Sequence, residues 1–431
     1  MAELADAQDS KSCPRKRVWV QFPPSALKRD YMLIKIILIR RNILFAVLLC
    51  FACRGLADTF TNKKTGERFN GYAVKTTQTA KMAVRSTARE GIRYIERADY
   101  DIVYNAEGRR NQIFVIDMNE PLMLECETAA FEKAIKLSEN QGNLAIVIKI
   151  DTPGGRIDLM KRYCTAIAAV DMTPVIAVVC GGKTGGAYSA GAIIAMGCDK
   201  LYMGENTAIG AATLLVIDAN DEFKSAKAAY GDVIGEKVDS AHRAYCASVA
   251  EHAGRSGLLA QAMINKEIEV IARKTENGKY EILDGRDIKD SNTKDIIIVN
   301  HKGSLLTLSA KQAVDIGFAD GQIDSFNIWK QNGPFTQSKW IVCQDIQAAH
   351  RQYLTYDSQF QTALMIIKQL KTKIHITPSK TEMRDYFGGI IEQYRLIIAL
   401  KKNCNDLPVE MDSLVSELDQ FVILYNKLSN Q

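Results

Sequence analysis

Beyond residue 57 the chain lacks any apolar run that approaches eighteen residues. Nothing there reads as a membrane-spanning helix, which needs about twenty. It also lacks cysteine patterning. Cys126, Cys164, Cys180, Cys198, Cys246, Cys343 and Cys404 are scattered without metal-ligand or disulfide-framework spacing. Most sit in apolar runs and read as small buried thiols; only Cys343 and Cys404 share a terminal region in which a pairing is plausible. No metal or other cofactor is expected. A basic stripe is missing too. Residues 1–54 carry ten Lys/Arg against four Asp/Glu, so the net charge of +5 belongs to the leader and the remainder is close to neutral. No nucleic-acid partner is expected from such a distribution. At 431 residues the chain has room for two or three domains with sizeable cores.

What is present is a motif. Val175–Cys180 is an unbroken apolar run rich in β-branched residues and reads as a fully buried strand. Gly181, Gly182, Gly185 and Gly186 follow, then a small apolar helix over Ala187–Ala195 with Ser189 in its first turn. A helix N-terminus leaves backbone N–H groups unpaired, including that of Ala190. Two readings stay open: a nucleophile beside an anion site, or a serine that merely caps the helix. About thirty residues upstream, Ala145–Ile150 is a second buried strand, closed by Asp151-Thr152-Pro153-Gly154-Gly155 and followed by a helix over Asp158–Val170. Strand, Pro-Gly-Gly turn, helix, strand, Gly-rich turn implies a parallel sheet with both turns at its carboxyl edge. Gly154 and Gly155 could then offer N–H groups to the same oxyanion as Ala190.

Asp151–Gly155, followed by the Gly-rich turn into Tyr188-Ser189-Ala190-Gly191, resembles the Clp-protease/crotonase superfamily. Within it the closest branch is the NfeD-type membrane-associated serine proteases related to signal peptide peptidase A. The resemblance runs from about Gln112 to Ile323. It implies that Ser189 is the nucleophile and that Lys237 is the general base, because Lys237, Ala244, Tyr245, Ala250, Gly254 and Arg255 match the family's base-bearing helix, with Ser256 where asparagine is common. It implies an oxyanion hole of Gly154, Gly155 and Ala190, and polypeptide substrates with apolar segments such as those of a membrane protein. A homo-oligomer is also expected from it. A third match, Leu305–Leu308 through Ala313–Asp320, resembles the strand and short helix that close the domain.

The expected fold is α/β, a Clp-protease/crotonase-like parallel-sheet spiral over residues 109–326. Residues 1–31 do not read as part of a fold: they resemble the translation of a transfer-RNA gene, with the alternative of a disordered polar extension. Residues 32–57 read as a signal peptide, with Lys35, Arg40 and Arg41, an apolar core Ile43–Ala52 and small residues before a cleavage site after Ala57. Retention as an anchor is the alternative; either way the protein is expected to be exported, periplasmic or membrane-associated. Residues 58–108 read as a small β module, and residues 340–431 as an α-helical tail with breaks at Thr377-Pro378-Ser379 and Asn403–Pro408.

A lysine acts as a base only when neutral, so Lys237 is expected on a buried face with Ala241, Ala244 and Ser248. His242 and His252, on the same helix, are expected at the surface. Clp subunits carry a histidine about twenty-five residues after the serine, where this chain has Leu214, so a Ser-His-Asp triad lacks its middle member. The function expected is that of an exported serine endopeptidase with a Ser-Lys dyad. The alternatives are an α/β-hydrolase elbow over Ala187–Gly191, which leaves Asp151–Gly155 unexplained, and a non-proteolytic crotonase-fold protein for acyl-thioester chemistry or binding.

Overall fold

The structure, a computed structural model, describes residues 58–74, 81–86, 92–103, 110–217, 223–287, 296–376 and 378–429. The extension, the signal peptide and the end of the β module at residues 104–108 lie outside the described residues.

Five short strands come first: β1 (Asp58–Asn62), β2 (Arg68–Val74), β3 (Met82–Ser86), β4 (Ile92–Ile95) and β5 (Tyr100–Val103). They form an antiparallel sheet in the order β4-β3-β2-β1-β5. Its small core is Phe60, Phe69, Met82, Val84 and Ile95, with Phe60 stacked on Phe69 at 5.1 Å between ring centroids. An ion pair between Arg97 and Asp199 ties this sheet to the domain that follows.

That domain is built on β6 (Arg110–Met118), β7 (Asn143–Ile150), β8 (Val175–Val179), β10 (Lys200–Gly204), β18 (Gly321–Ile323) and β19 (Lys339–Val342). All pair in parallel, in the order β18-β10-β8-β7-β6-β19. Parallel strands are buried on both faces, and side chains alternate between them. On β7, Ile146, Ile148 and Ile150 enter the main core while Ala145 and Val147 enter a second one. The main core is closed by α1 (Glu125–Asn140), α2 (Ile157–Ala168) and α3 (Ala190–Met196), through residues such as Phe131, Leu159, Met160 and Ile193. Each such aliphatic side chain contributes about 1.5–3 kcal/mol on burial. The opposite face is covered by aromatic rings, with Trp329 of α8 (Phe326–Asn332) beside Tyr202, Phe335 and Trp340.

A smaller sheet, β17-β11-β9, carries the serine turn, from β9 (Gly186–Tyr188), β11 (Ala208–Gly210) and β17 (Thr307–Ser309). A hairpin of β12 (Leu215–Ile217) and β13 (Phe223–Ser225) leads through α4 (Ala226–Tyr230) to the long α5 (Asp232–His252) and then α6 (Gly257–Ala262). β14 (Val270–Lys274), β15 (Tyr280–Asp284) and β16 (Ile296–Asn300) form a last antiparallel sheet, and α7 (Ala310–Asp315) follows β17.

The C-terminal region is helical: α9 (Asp345–Ile374), α10 (Lys380–Asn403) and α11 (Met411–Ser429). They share a core of Phe360, Ile367, Ile390, Tyr394, Ile397 and Leu414. Ser379 starts α10 with a capping box to Glu382.

Three expectations change. Gly186–Tyr188 is a strand and not the start of a helix, because its backbone pairs with β11 and with Thr152. The central sheet reaches past residue 326, since β19 lies beside β6. Finally, Cys343 and Cys404 are both free thiols. Cys343 packs in the main core and Cys404 in the tail core, so no bridge joins them.

Candidate active site

Two glycine turns meet at the carboxyl edge of β7 and β8. Asp151, directly after β7, is buried, and its carboxylate accepts N–H bonds from Thr184 (3.2 Å), Gly185 (2.8 Å) and Gly186 (3.1 Å). A buried carboxylate needs such partners, and charge-assisted bonds are the strong ones. Sequence reasoning passed over Asp151. Its signal was an acidic residue ending an otherwise apolar strand, opposite a turn full of unpaired amides. Thr152 continues the seam, exchanging backbone bonds with Gly186 and Tyr188.

This seam delivers Ser189. Its φ of 52° and ψ of −123° are foreign to an L-residue, and the serine stands just ahead of α3 rather than within its first turn. Its N–H donates to the Gly210 carbonyl at 3.0 Å, and its own carbonyl accepts from Ala192 at 3.0 Å. The hydroxyl caps nothing. The capping role left open by the sequence is therefore not the one Ser189 performs. Strain of this kind costs about 1–3 kcal/mol and persists where the surroundings over-determine it.

Gly154 is brought against Ser189 and Ala190, with Gly155 next to it in the chain. Gly154 has φ of 102°, and a Cβ there would lie 2.9 Å from the Tyr188 carbonyl oxygen and 3.0 Å from the Ala190 nitrogen. Its N–H donates to the Thr152 hydroxyl at 3.2 Å. Gly155 is flanked by backbone bonds between Leu122 and its two neighbours: Leu122 N–H donates to Gly154, and Arg156 N–H donates to Leu122. Those bonds leave the Gly155 N–H unengaged, and the Ala190 N–H, at the first position of α3, has no protein partner among the described residues either.

Lys237 is not part of this cluster. It lies on α5, whose buried residues are Gly235, His242, Cys246, Ala247 and Ala250. At about 100° per residue, that face is opposite Lys237, which is exposed and makes no hydrogen bond or ion pair among the described residues. The expectation of a buried lysine fails within one protomer. Val233, Ile234 and Val238 are exposed around it, at 71%, 57% and 37%; Ala241 and Ala244 are exposed on the same side.

The rival base is also displaced. His242 is buried, not at the surface as expected, with its ring nitrogens 3.8–3.9 Å from Cys246 Sγ. Burial, and then the nearby Lys161, push its pKa down. It faces α2, where the Tyr245 hydroxyl reaches the Lys161 carbonyl. His252 is half-buried, and burial lowers its pKa as well.

Among the described residues no group of His, Cys, Asp and Glu is arranged to hold a metal ion, and no helix is long and apolar enough to cross a membrane.

Residues 112–300 match the family described as the NfeD1b N-terminal domain. Over 163 residues the chain is 30% identical to the membrane-bound protease PH1510 of Pyrococcus horikoshii, an alignment covering 37% of this chain and 34% of that protein. The chain thus spans about a third of the length of the curated relative it matches. Among solved structures, it is similar to a Lys-to-Ala mutant of the 1510-N membrane-bound stomatin-specific protease in complex with a substrate peptide. The identity is 21%, with 56% of this chain and 97% of that one covered and a TM-score of 0.39. A ClpP1 mutant from Listeria monocytogenes is similar at 14% identity, with 49% and 92% covered and a TM-score of 0.30. Both glycine turns, Ser189 and Lys237 lie within the segment that matches the NfeD1b N-terminal domain.

Proposed function

We propose that the chain is a serine endopeptidase, exported and acting in the periplasm or at the membrane, that cleaves apolar polypeptide segments. One observation carries this reading: Ser189 is held at positive φ against Gly154 with a hydroxyl that caps nothing, and among the described residues the neighbouring Gly155 and Ala190 N–H groups have no protein partner. Attack of Oγ on a peptide carbonyl would develop an oxyanion toward Gly155 and Ala190, with Gly154 allowing the close approach. One such donor is worth about 10²–10³ in rate. Lys237 would take the hydroxyl proton and return it to the leaving amine. The match of residues 112–300 and the 30% identity to a protein named a membrane-bound protease support the peptidase class.

In one protomer Lys237 faces outward amid exposed apolar side chains. The dyad would then be completed when that face of α5 packs against another copy of the chain, in a homo-oligomer. The same exposure favours a second reading, a scaffold that binds apolar segments without cutting them. A serine-reactive phosphonate, with Ser189→Ala as control, separates the two. Covalent labelling of Ser189 alone, together with cleavage of an apolar peptide that Ser189→Ala and Lys237→Ala abolish, is expected of a peptidase. Peptide binding that survives in Ser189→Ala, with neither labelling nor cleavage by the unaltered protein, would leave the scaffold.

A further inference from the structure

We propose that Asp406, in the loop between α10 and α11 of the helical tail, is a positioning residue for the oxyanion turn at Gly154–Gly155. The inference rests on the peptidase reading above and extends it to a residue outside the matched segment.

α1 begins at Glu125 without a cap of its own: Leu124 precedes it in extended conformation and offers no side-chain acceptor. The first amides of a helix need partners. Asp406 supplies them from 281 residues away, with Oδ1 accepting the Glu125 N–H at 2.6 Å and Oδ2 the Cys126 N–H at 3.0 Å. A carboxylate bound by two backbone amides at a helix N-terminus is also favoured by the helix dipole. A second tail contact lies at the next residue: Nδ1 of His350 on α9 is 2.6 Å from the buried Glu127 carboxylate.

The capped turn continues directly into the Gly154–Gly155 support. Two residues before Leu124, Leu122 bonds to Gly154 at 2.8 Å through its N–H and to the Arg156 N–H at 3.0 Å through its carbonyl. The fit is tight, since a Cβ on Gly155 would come within 2.2 Å of the Leu122 oxygen. Arg156 also reaches back, with its guanidinium 3.5 Å from the Met123 carbonyl and 3.4 Å from Glu125 Oε1. Asp406 therefore holds the helix end, the helix end holds Leu122, and Leu122 holds the Gly154–Gly155 turn, whose Gly154 lies against Ser189. A shift of about 1 Å at such a support can cost about 100-fold in rate.

The test compares the full-length protein with Asp406→Ala and Asp406→Asn. Peptidase kcat and KM are measured alongside hydrogen–deuterium exchange over residues 119–128 and 153–157, with circular dichroism to confirm folding. Expected for Asp406→Ala are faster exchange in both segments and kcat lowered about 10- to 100-fold with KM within about twofold. Asp406→Asn, which keeps one acceptor oxygen, should fall between. Lower thermal stability with unchanged kcat, and exchange that rises only at 119–128, would reduce Asp406 to a structural cap and overturn the proposal. If the unaltered protein cleaves nothing, exchange at 153–157 still decides the coupling: a rise in Asp406→Ala sustains it while the peptidase reading falls. No change there removes both.

Discussion

The Cβ that Gly154 lacks would sit 2.5 Å from the Cβ of Ser189. Real Cβ atoms do not approach that closely, so the two turns have been brought together as far as backbone allows. Gly154→Ala would add this overlap to a residue at φ of 102°. We expect a loss of about 1–3 kcal/mol from overpacking and at least about 100-fold in kcat from displacement of the serine. Thermal melts and peptide hydrolysis on the same preparation check both; a variant of full activity would mean that the contact does not set the site.

Strain at Ser189 makes a prediction of opposite sign. On the proposed peptidase reading, Ser189→Gly and Ser189→Ala both remove the nucleophile and should both be inactive. Only glycine adopts φ of 52° with ψ of −123° at little cost. Ser189→Gly is therefore expected to be more stable than Ser189→Ala by about 1 kcal/mol, read as a higher denaturation midpoint in urea. Equal midpoints would show that the position is unstrained.

The buried Asp151 carboxylate accepts three backbone amides, and an asparagine there presents an NH2 group to donors. Asp151→Asn should lose about 1.5–3 kcal/mol for each charged bond that is left unmade and should loosen residues 182–186. Hydrogen exchange over that turn, with peptidase activity in parallel, tests this. Protection equal to that of the unaltered protein would deny Asp151 its role.

The pH dependence of stability follows from His242. Burial and Lys161 lower its pKa, so the folded protein binds fewer protons there than the unfolded chain. Its contribution is present above the ordinary histidine value of about 6.5 and is lost as pH falls through the lowered one. His252 is shifted the same way, first by burial and then by Arg97. His242→Gln should flatten the fall in melting temperature below about pH 6.5 while retaining peptidase activity. Loss of activity without loss of fold would return the base role to His242.

The parallel order of β7 and β8 and the meeting of their turns were legible because unbroken apolar strands and glycine punctuation are local signals. Gly154 lies against Ser189 and Ala190, at the turns that pattern marks. The orientation of Lys237 was not legible. A helix with alanines at i+4 and i+7 from a lysine reads alike whether that side meets its own core or a surface, and only packing reveals that His242 and Cys246 face inward. Asp406 was out of reach for another reason, since a cap supplied across 281 residues leaves no periodicity near the helix it caps. β19 escaped for a related one: Lys339–Val342 is four residues long and, among the described residues, pairs only with β6.

That last strand has a consequence for synthesis. β6 is made early, yet its outer edge is covered only when Lys339–Val342 arrives and pairs with Gln112–Val115. Until then a nascent chain presents the open amides and carbonyls of β6, a ready template for a neighbouring strand. Pairing across such a sequence distance is slow, and exposed intermediates of this kind aggregate. That edge of the sheet is therefore closed by the last strand to be made. A chain ending at residue 326 would expose the edge permanently, while one ending after Val342 would cover it.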